Sequence, residues 1–179
     1  MRQFFDTNVL VYAYDADDAI KRDIARTRVQ EATTGDGFVI STQVLAEFYA
    51  TTTRRRLLAP VEAFDLVSLW SDHDTVPSTP DLILRAIALH QEHSVAFWDA
   101  LIIQAAIDVR CDVLLSEDLQ HGRHFGAVEI CNPFVTGAHE QQATRYGVRR
   151  IKGLVPKRPR PVAIAEMKAA IRRSRSRGR

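Results

Sequence analysis

Four acidic side chains have the types and positions that a divalent cation site needs. Asp6 and Asp118 each follow a short apolar segment that reads as a buried strand. Ligands bind at the carboxyl ends of strands in open α/β sheets. Glu47 and Asp99 lie near the starts of two segments whose apolar residues have helical spacing. We therefore expect all four carboxylates to face one crevice.

Each acid also has an ordinary structural explanation. Asp6 could simply start a helix, and Glu47 could be a solvated carboxylate at the edge of an apolar helix face. Asp99 could be a first-turn carboxylate that the helix dipole favours. Asp118 could cap a short helix, and the adjacent Glu117 could be the functional acid instead. Asp99 is the hardest to explain this way, since a charge among apolar neighbours is costly unless it is paired or bound to metal.

The consistent placement of the four acids indicates metal chemistry. Converging carboxylates repel one another by roughly 4 kcal/mol per pair at about 4 Å in an effective dielectric near 20. A fold retains such a cluster only if protons or a cation relieve the repulsion. Hard oxygen ligands favour Mg²⁺ or Mn²⁺ over zinc. The chemistry that such a site supports is metal-assisted hydrolysis of a phosphodiester.

The elements that must position these acids alternate between strands and helices. Apolar segments predict strands at residues 2–6, 38–40, 74–76, 112–115 and 127–130. Helical spacing and cap residues predict helices that begin at Thr7 or Asn8, near residue 17, at Ser41 or Thr42, at Pro60, at Pro80 and at Phe97. This alternation predicts an α/β domain with a central parallel sheet.

Composition restricts the classes of protein to be considered. The chain has 179 residues, of which 46% are hydrophobic, so one domain with a real core is expected. It has no run of about 18 apolar residues and no signal-peptide pattern at its start, so we expect no membrane segment. Two cysteines are too few for a disulfide framework, and a cytoplasmic location is expected.

Charge is divided unevenly along the chain. Residues 145–179 carry thirteen Lys or Arg and one acid, a net charge of +12, whereas residues 1–144 carry eleven bases and 21 acids, a net charge of −10. We divide the chain into a domain at residues 1–135 and a basic tail at residues 136–179, which contains the basic segment 145–179. The tail contains a short amphipathic stretch from Ile164 to Ile171. It could bind nucleic acid or its own domain.

Other groups of residues with chemical potential are less specific. His121 and His124, with Cys111 and Cys131, fit no usual zinc spacing, and a structural role is expected. The two histidines could instead form the acid–base pair of a metal-free ribonuclease. The run Arg54–Arg56 follows the helix of Glu47 and could contact RNA phosphates or be a solvated helix end.

The motifs around the four acids resemble, in order and spacing, those of the PIN-domain ribonucleases, and most closely the VapC-type toxins of bacterial toxin–antitoxin modules. The resemblance covers about residues 2–134. It rests on Phe-Phe-Asp-Thr-Asn-Val-Leu at Asp6, Ala-Glu-Phe at Glu47, Phe-Trp-Asp-Ala-Leu-Ile at Asp99 and Leu-Ser-Glu-Asp at Asp118.

This resemblance implies a three-layer α/β/α sandwich and Mg²⁺-dependent cleavage of single-stranded RNA regions, in which the four carboxylates hold one or two Mg²⁺ ions. It implies a homodimer and inhibition by a cognate antitoxin protein. Thr7 or Ser116 would add a hydroxyl contact, and Asn8 would hold a carboxylate by a hydrogen bond. Two alternatives stay open: another metal phosphohydrolase, which usually needs Asp-x-Asp where this chain has Asp6-Thr7-Asn8, and a catalytically silent domain that binds RNA through its tail.

The tail departs from the family, which usually ends near Asn132-Pro133-Phe134. Residues 153–173 resemble the toxin-binding end of small antitoxins, in which an extended basic segment precedes a short helix. A disordered RNA-binding tail explains the charge equally well.

We expect residues 145–179 to restrain the nuclease, in cis or across a dimer. Tethering gives the basic tail a local concentration of the order of millimolar near an acidic domain, and Arg172 or Arg173 would reach the carboxylates. Removing the tail should then raise RNA cleavage at low salt, measured on a generic RNA. An RNA-capturing tail predicts the reverse: truncation would slow cleavage and flatten its salt dependence.

Overall fold

The computed structural model describes residues 1–135, and the basic tail at residues 136–179 lies outside the described part. Six strands and six helices follow one another along the described chain. The strands are β1 Gln3–Phe5, β2 Phe38–Ser41, β3 Asp74–Val76, β4 Val113–Leu115, β5 His124–Phe125 and β6 Val128–Cys131. The helices are α1 Thr7–Tyr12, α2 Ala19–Thr34, α3 Thr42–Arg54, α4 Pro60–Trp70, α5 Pro80–His93 and α6 Phe97–Asp108.

The strands form one sheet in the order β3-β2-β1-β4-β6-β5. All neighbouring pairs are parallel except β5 and β6, which form an antiparallel hairpin. From β1 the chain moves outward through β2 to β3 and then returns to β4 on the other side of β1. The strand order therefore reverses between β1 and β4, which is the position where open α/β sheets bind their ligands.

The direction of the crossovers places helices on both faces of the sheet. Parallel crossovers are right-handed in nearly all proteins. Because β1→β2 and β2→β3 move one way and β3→β4 moves the other, helices α1 to α4 lie on one face and α5 and α6 on the opposite face. The helix contacts agree, since α1 packs on α2 and α3, α3 on α4, and α5 on α6. The result is the predicted sandwich with a central parallel sheet.

The core consists of the sheet residues and the apolar sides of the helices. Phe4, Leu114 and Ile130 lie in the three central strands and are fully buried. On the face of α3 and α4, the rings of Phe48 and Trp70 pack edge to face with their centroids 4.7 Å apart. Strands that are buried on both faces read as continuous apolar segments, which is why they could be predicted.

The five predicted strands are all present, and two details differ from the expectation. Strand β5 was not predicted, because two residues before the turn at Gly126, whose φ is 59°, are too few to show an alternating pattern. The first helix is capped by Asp6 and not by Thr7 or Asn8, because the Asp6 backbone is extended and its carboxylate accepts a hydrogen bond from the Thr7 N–H. Ser41 caps α3, as one of the two predicted candidates.

None of the helices in residues 1–135 has the length and apolar character needed to cross a bilayer.

Candidate active site

Asp6 lies where the strand order reverses. The register pairs Phe5 with Leu115, so the next residues of the two strands, Asp6 and Ser116, are neighbours. The Ser116 hydroxyl donates to Asp6 Oδ2 at 2.6 Å, and the Thr7 N–H donates to Asp6 Oδ1 at 2.6 Å. Asp6 is only 8% exposed and Ser116 is fully buried. Two adjacent strand ends therefore hold one buried carboxylate.

Asn8 links Asp6 to Asp118. Its side-chain amide Nδ2 donates to Asp6 Oδ2 and to Asp118 Oδ2, each at 3.0 Å. Its amide oxygen accepts a hydrogen bond from the Glu117 N–H at 3.3 Å. The Asp118 N–H also donates to the Ser116 hydroxyl at 3.2 Å. Asn8 thus fixes the loop after β4 against the loop after β1.

Glu47 reaches the same edge of the sheet from α3. This helix starts directly after β2 because the Ser41 hydroxyl accepts a hydrogen bond from the Val44 N–H. Both Glu47 oxygens have donors: the Thr7 hydroxyl donates to Oε2 at 2.7 Å and Gln43 Nε2 donates to Oε1 at 2.8 Å. Thr7 therefore connects the Asp6 and Glu47 carboxylates through its backbone and its side chain.

Asp99 lies in the first turn of α6. This helix leads into β4 and runs against the strand direction, so its N-terminus lies at the carboxyl edge of the sheet. No described residue donates a hydrogen bond to the half-buried Asp99 carboxylate. Burial raises its pKa, and the negative charges of Asp118 and Glu47 raise it further. Asp99 therefore lies within electrostatic reach of all three other acids, since its own charge also acts on Asp6.

The four acids form a cluster of negative charge that has no basic partner in the described part of the chain. The pKa of Asp6 is raised to about 6: burial is the largest cause, the hydrogen bonds from Ser116 and Thr7 act against it, and the charges of Asp118 and Asp99 add to it. The ion pairs within residues 1–135 involve none of the four acids. The structure thus brings all four predicted residues to one edge, and no basic side chain within residues 1–135 compensates their charge.

The donor chemistry of this cluster fits a hard divalent cation. The four acids offer only carboxylate oxygens to a cation, and such oxygens suit Mg²⁺ or Mn²⁺. As placed, however, no three His, Cys, Asp or Glu side chains in the described part of the chain form a ready-made metal site. Hydrogen bonds hold three of the carboxylates, those of Asp6, Glu47 and Asp118, and the four acids are not already closed around a cation position.

The contacts distinguish Glu117 from its neighbour Asp118. The Glu117 carboxylate forms an ion pair with Lys21 of α2. Lys21 Nζ also lies 3.2 Å from the Tyr12 hydroxyl, to which it donates, and 4.5 Å from the centre of the Tyr12 ring. Asp118 is exposed, and among described residues it receives a side-chain hydrogen bond only from Asn8. Glu117 is occupied in a contact with α2, whereas Asp118 is turned toward Asp6.

Several of the other candidate residues have contacts or burial that fit a structural role. Cys111 and Cys131 are free thiols, and burial raises the pKa of both, for Cys111 to about 12. His121 Nδ1 accepts a hydrogen bond from the Asn132 N–H at 3.2 Å. Of the run Arg54–Arg56, Arg55 pairs with Asp15 at 2.6 Å.

Sequence reasoning did not identify Gln43, which holds Glu47. The available signal is its spacing of four residues from Glu47, since residues i and i+4 are neighbours on a helix. A glutamine before an acid is common enough on helix surfaces that this spacing alone carries little information.

Comparison with known families decides what kind of domain this is. The model of the PIN domain family matches residues 4–124, a span that includes all four acids. The chain belongs to the PIN-domain family. This confirms the resemblance that the motifs showed.

Solved structures show the same fold at low sequence identity. This PIN domain is similar to a toxin–antitoxin complex from Klebsiella pneumoniae, with 18% identity, a TM-score of 0.55 and coverage of 74% of this chain and 98% of that one. It is also similar to VapBC2 from Rickettsia felis bound to a promoter DNA fragment, with 16% identity, a TM-score of 0.53 and coverage of 73% and 97%. A comparison with curated protein sequences gives no significant match.

The buried Asp6 should make the metal-free protein less stable as pH rises. Its pKa of about 6 in the folded state exceeds the ordinary value of 3.8, so the folded protein binds the proton more tightly than the unfolded chain. The contribution of protonated Asp6 to the free energy of unfolding is therefore fully present below about pH 4 and is lost as the pH rises through 6. Relative to Asp6→Asn, the wild type should lose about 2–3 kcal/mol between pH 3.5 and 7.5, measured by urea unfolding in EDTA. Parallel pH curves for the two proteins would contradict this.

Proposed function

We propose that this PIN domain is a metal-dependent endoribonuclease and the toxin of a type II toxin–antitoxin pair of the VapC type. The observation that carries the proposal is the cluster of Asp6, Glu47, Asp99 and Asp118, which lies where the strand order reverses and has no basic partner among the described residues. Two of the structures with a similar fold are a toxin–antitoxin complex from Klebsiella pneumoniae and VapBC2 from Rickettsia felis, which supports the toxin assignment.

In this proposal the four carboxylates hold Mg²⁺, or Mn²⁺ in its place. The bound cation would supply hydroxide from water at neutral pH and neutralise charge on the scissile phosphate. The protein's own part is to hold the ligands in position. Ser116 and the Thr7 N–H orient Asp6, Asn8 orients Asp118, and Thr7 and Gln43 orient Glu47. Such outer contacts fix the direction in which carboxylate lone pairs point.

The proposed partners follow from the same assignment. RNA is the substrate, a cognate antitoxin is the inhibitor, and a homodimer is the expected assembly. The competing class of metal phosphohydrolases is disfavoured because position 8 is Asn, where the Asp-x-Asp motif of that class has Asp. A silent RNA-binding domain differs from the proposal in one measurable respect, since it would not cleave RNA.

Removal of one clustered acid should abolish cleavage without unfolding the protein. Asp6→Asn and Asp99→Asn should each lose cleavage of a generic single-stranded RNA, whereas the control Asp65→Asn, an exposed acid on α4, should keep it. EDTA should stop the wild type, and Mg²⁺ or Mn²⁺ should restore it.

Metal binding should also be visible without catalysis. Mg²⁺ should raise the melting temperature of the wild type more than that of Asp6→Asn, because a ligand that binds only the folded state stabilises it. Full cleavage by both Asn variants would exclude the site. Cleavage that survives EDTA and disappears in His121→Ala or His124→Ala would favour the metal-free alternative.

Neighbouring acids should differ sharply in their effect on rate. Asp118→Asn should lower kcat by about a hundredfold or more. Loss of a residue that only orients a metal ligand typically costs about 10–100-fold, so a larger loss indicates that Asp118 itself binds the cation. Glu117→Gln keeps the length of the side chain and weakens only its ion pair with Lys21. The kcat of this variant should therefore fall by less than about tenfold. Steady-state cleavage of one fluorescent RNA gives both values, and the reverse ranking would show that Glu117 is the functional acid.

A further inference from the structure

A cavity of about 580 Å³ lies beside the acid cluster, lined by residues of α3, α5 and α6 and by Ser78. Its volume is within the range of about 300–1,000 Å³ typical of small-molecule sites. Its walls are mainly apolar and include Ala46, Ile83 and Leu101. The residues that line it include no Lys or Arg, so it offers no cation to a phosphate group. The cavity is therefore suited to a flat, largely apolar group with a few polar atoms.

The cavity and the acid cluster share a wall. Glu47 lines the cavity and raises the pKa of Asp99 by its charge. Trp98, another lining residue, directly precedes Asp99 in the first turn of α6. A nucleotide whose phosphate lay at the acids would therefore have its base within reach of this cavity.

Trp98 presents an aromatic surface to such a base. Its side chain is 62% exposed, which is unusual for the largest apolar residue type. Its ring packs against Phe97 at a centroid distance of 5.2 Å and an angle of 63°, an arrangement that leaves an indole face available. Unpaired RNA bases are commonly bound by stacking on aromatic rings of this kind.

Gln43 adds a polar atom that has no hydrogen-bond partner among the described residues. The residue is 9% exposed, and its Nε2 donates to Glu47 Oε1 at 2.8 Å and to the Trp98 carbonyl at 3.4 Å. Its Oε1 is buried and accepts no hydrogen bond from any residue between 1 and 135. Buried polar atoms in native proteins nearly always have a partner. Gln43 lines the cavity, so a small shift of its amide toward an occupant that brings an N–H donor would satisfy this oxygen.

We propose that this cavity binds an RNA base next to the scissile phosphate and prefers adenine, cytosine or guanine to uracil. An exocyclic amino group supplies N–H donors to acceptors such as Gln43 Oε1 and Glu47. Uracil has no amino group, and carbonyl oxygens flank its one ring N–H, so it meets these acceptors less favourably. The inference rests on the proposed ribonuclease function, since it names the part of the substrate that the site recognises.

Nucleoside monophosphates test the cavity without any cleavage, because they contain no phosphodiester bond. AMP and CMP should shift the indole N–H signal of Trp98 in the ¹⁵N NMR spectrum of the full chain and leave that of Trp70, which is 2% exposed, in place. UMP should bind more weakly. Trp98→Leu should lower AMP affinity in calorimetry by about fivefold or more, the lower range for a base-stacking contact. Phe64→Leu, which removes an exposed ring outside the cavity, is the matched control and should bind as the wild type does.

Cleavage-site mapping on a randomised RNA pool completes the test. The wild type should cut beside amino-bearing bases in preference to uracil, and Trp98→Leu should weaken that preference. If no nucleotide shifts Trp98 and Trp98→Leu cuts with the wild-type base distribution, the inference is wrong while the nuclease proposal stands, and an apolar protein segment becomes the better occupant. If the nucleotides bind as expected and no RNA is cut, the cavity is supported and the nuclease proposal fails.

Discussion

The burial of the Asp6 carboxylate between two parallel strand ends is the constraint on which the rest of the site depends. A carboxylate that is 8% exposed and has no basic partner among the described residues costs free energy, as its pKa of about 6 reflects. Three donors, from Thr7, Asn8 and Ser116, limit this cost. The same three donors fix the direction of the carboxylate. A fold that accepts this cost gains a rigid carboxylate that no basic side chain of the described residues neutralises, a common trade of stability for function.

Topology brings the other acids to Asp6 although they are distant in sequence. Strands β1 and β4 are adjacent because the chain order reverses between them, so the loops that carry Asp6 and Asp118 meet. Helix α3 follows β2, and α6 precedes β4, so both helices have their N-terminal ends at the same edge. Glu47 and Asp99 are near those ends. The cluster is therefore a consequence of strand order and crossover direction as much as of the individual residues.

This origin explains how much of the fold could be predicted from the sequence. Strands β1 and β4 are continuous apolar segments, so their ends, and hence Asp6 and Asp118, were recognisable. For Glu47 and Asp99 the sequence showed only their helical spacing. Their assignment to the predicted site rested mainly on the resemblance to PIN domains. That resemblance is now confirmed at the level of the family, whereas the roles of the four acids stay predictions.

Contacts between distant parts of the chain were beyond sequence reasoning. The pairing of Lys21 with Glu117 joins residues 96 positions apart, and no local pattern marks it. That contact is what separates Glu117 from Asp118, a choice that the sequence left open. The N-cap of α1 was misplaced by one or two residues, at Thr7 or Asn8. Asp6 was considered either as a site residue or as the start of a helix, and the structure shows that its carboxylate lies in the cluster and also caps the helix.

Glu47 belongs both to the acid cluster and to the wall of the cavity, so binding at one place would affect binding at the other. Its two oxygens accept hydrogen bonds from Thr7 on the cluster side and from Gln43 on the cavity side. If a base donates to Gln43 Oε1, it polarises the amide whose N–H group holds Glu47, since linked hydrogen bonds strengthen one another. By thermodynamic linkage, any effect of the base on cation affinity is matched by an equal effect of the cation on base affinity. The cleaved bond and the neighbouring base would then be recognised as one unit, because a single carboxylate takes part in both contacts.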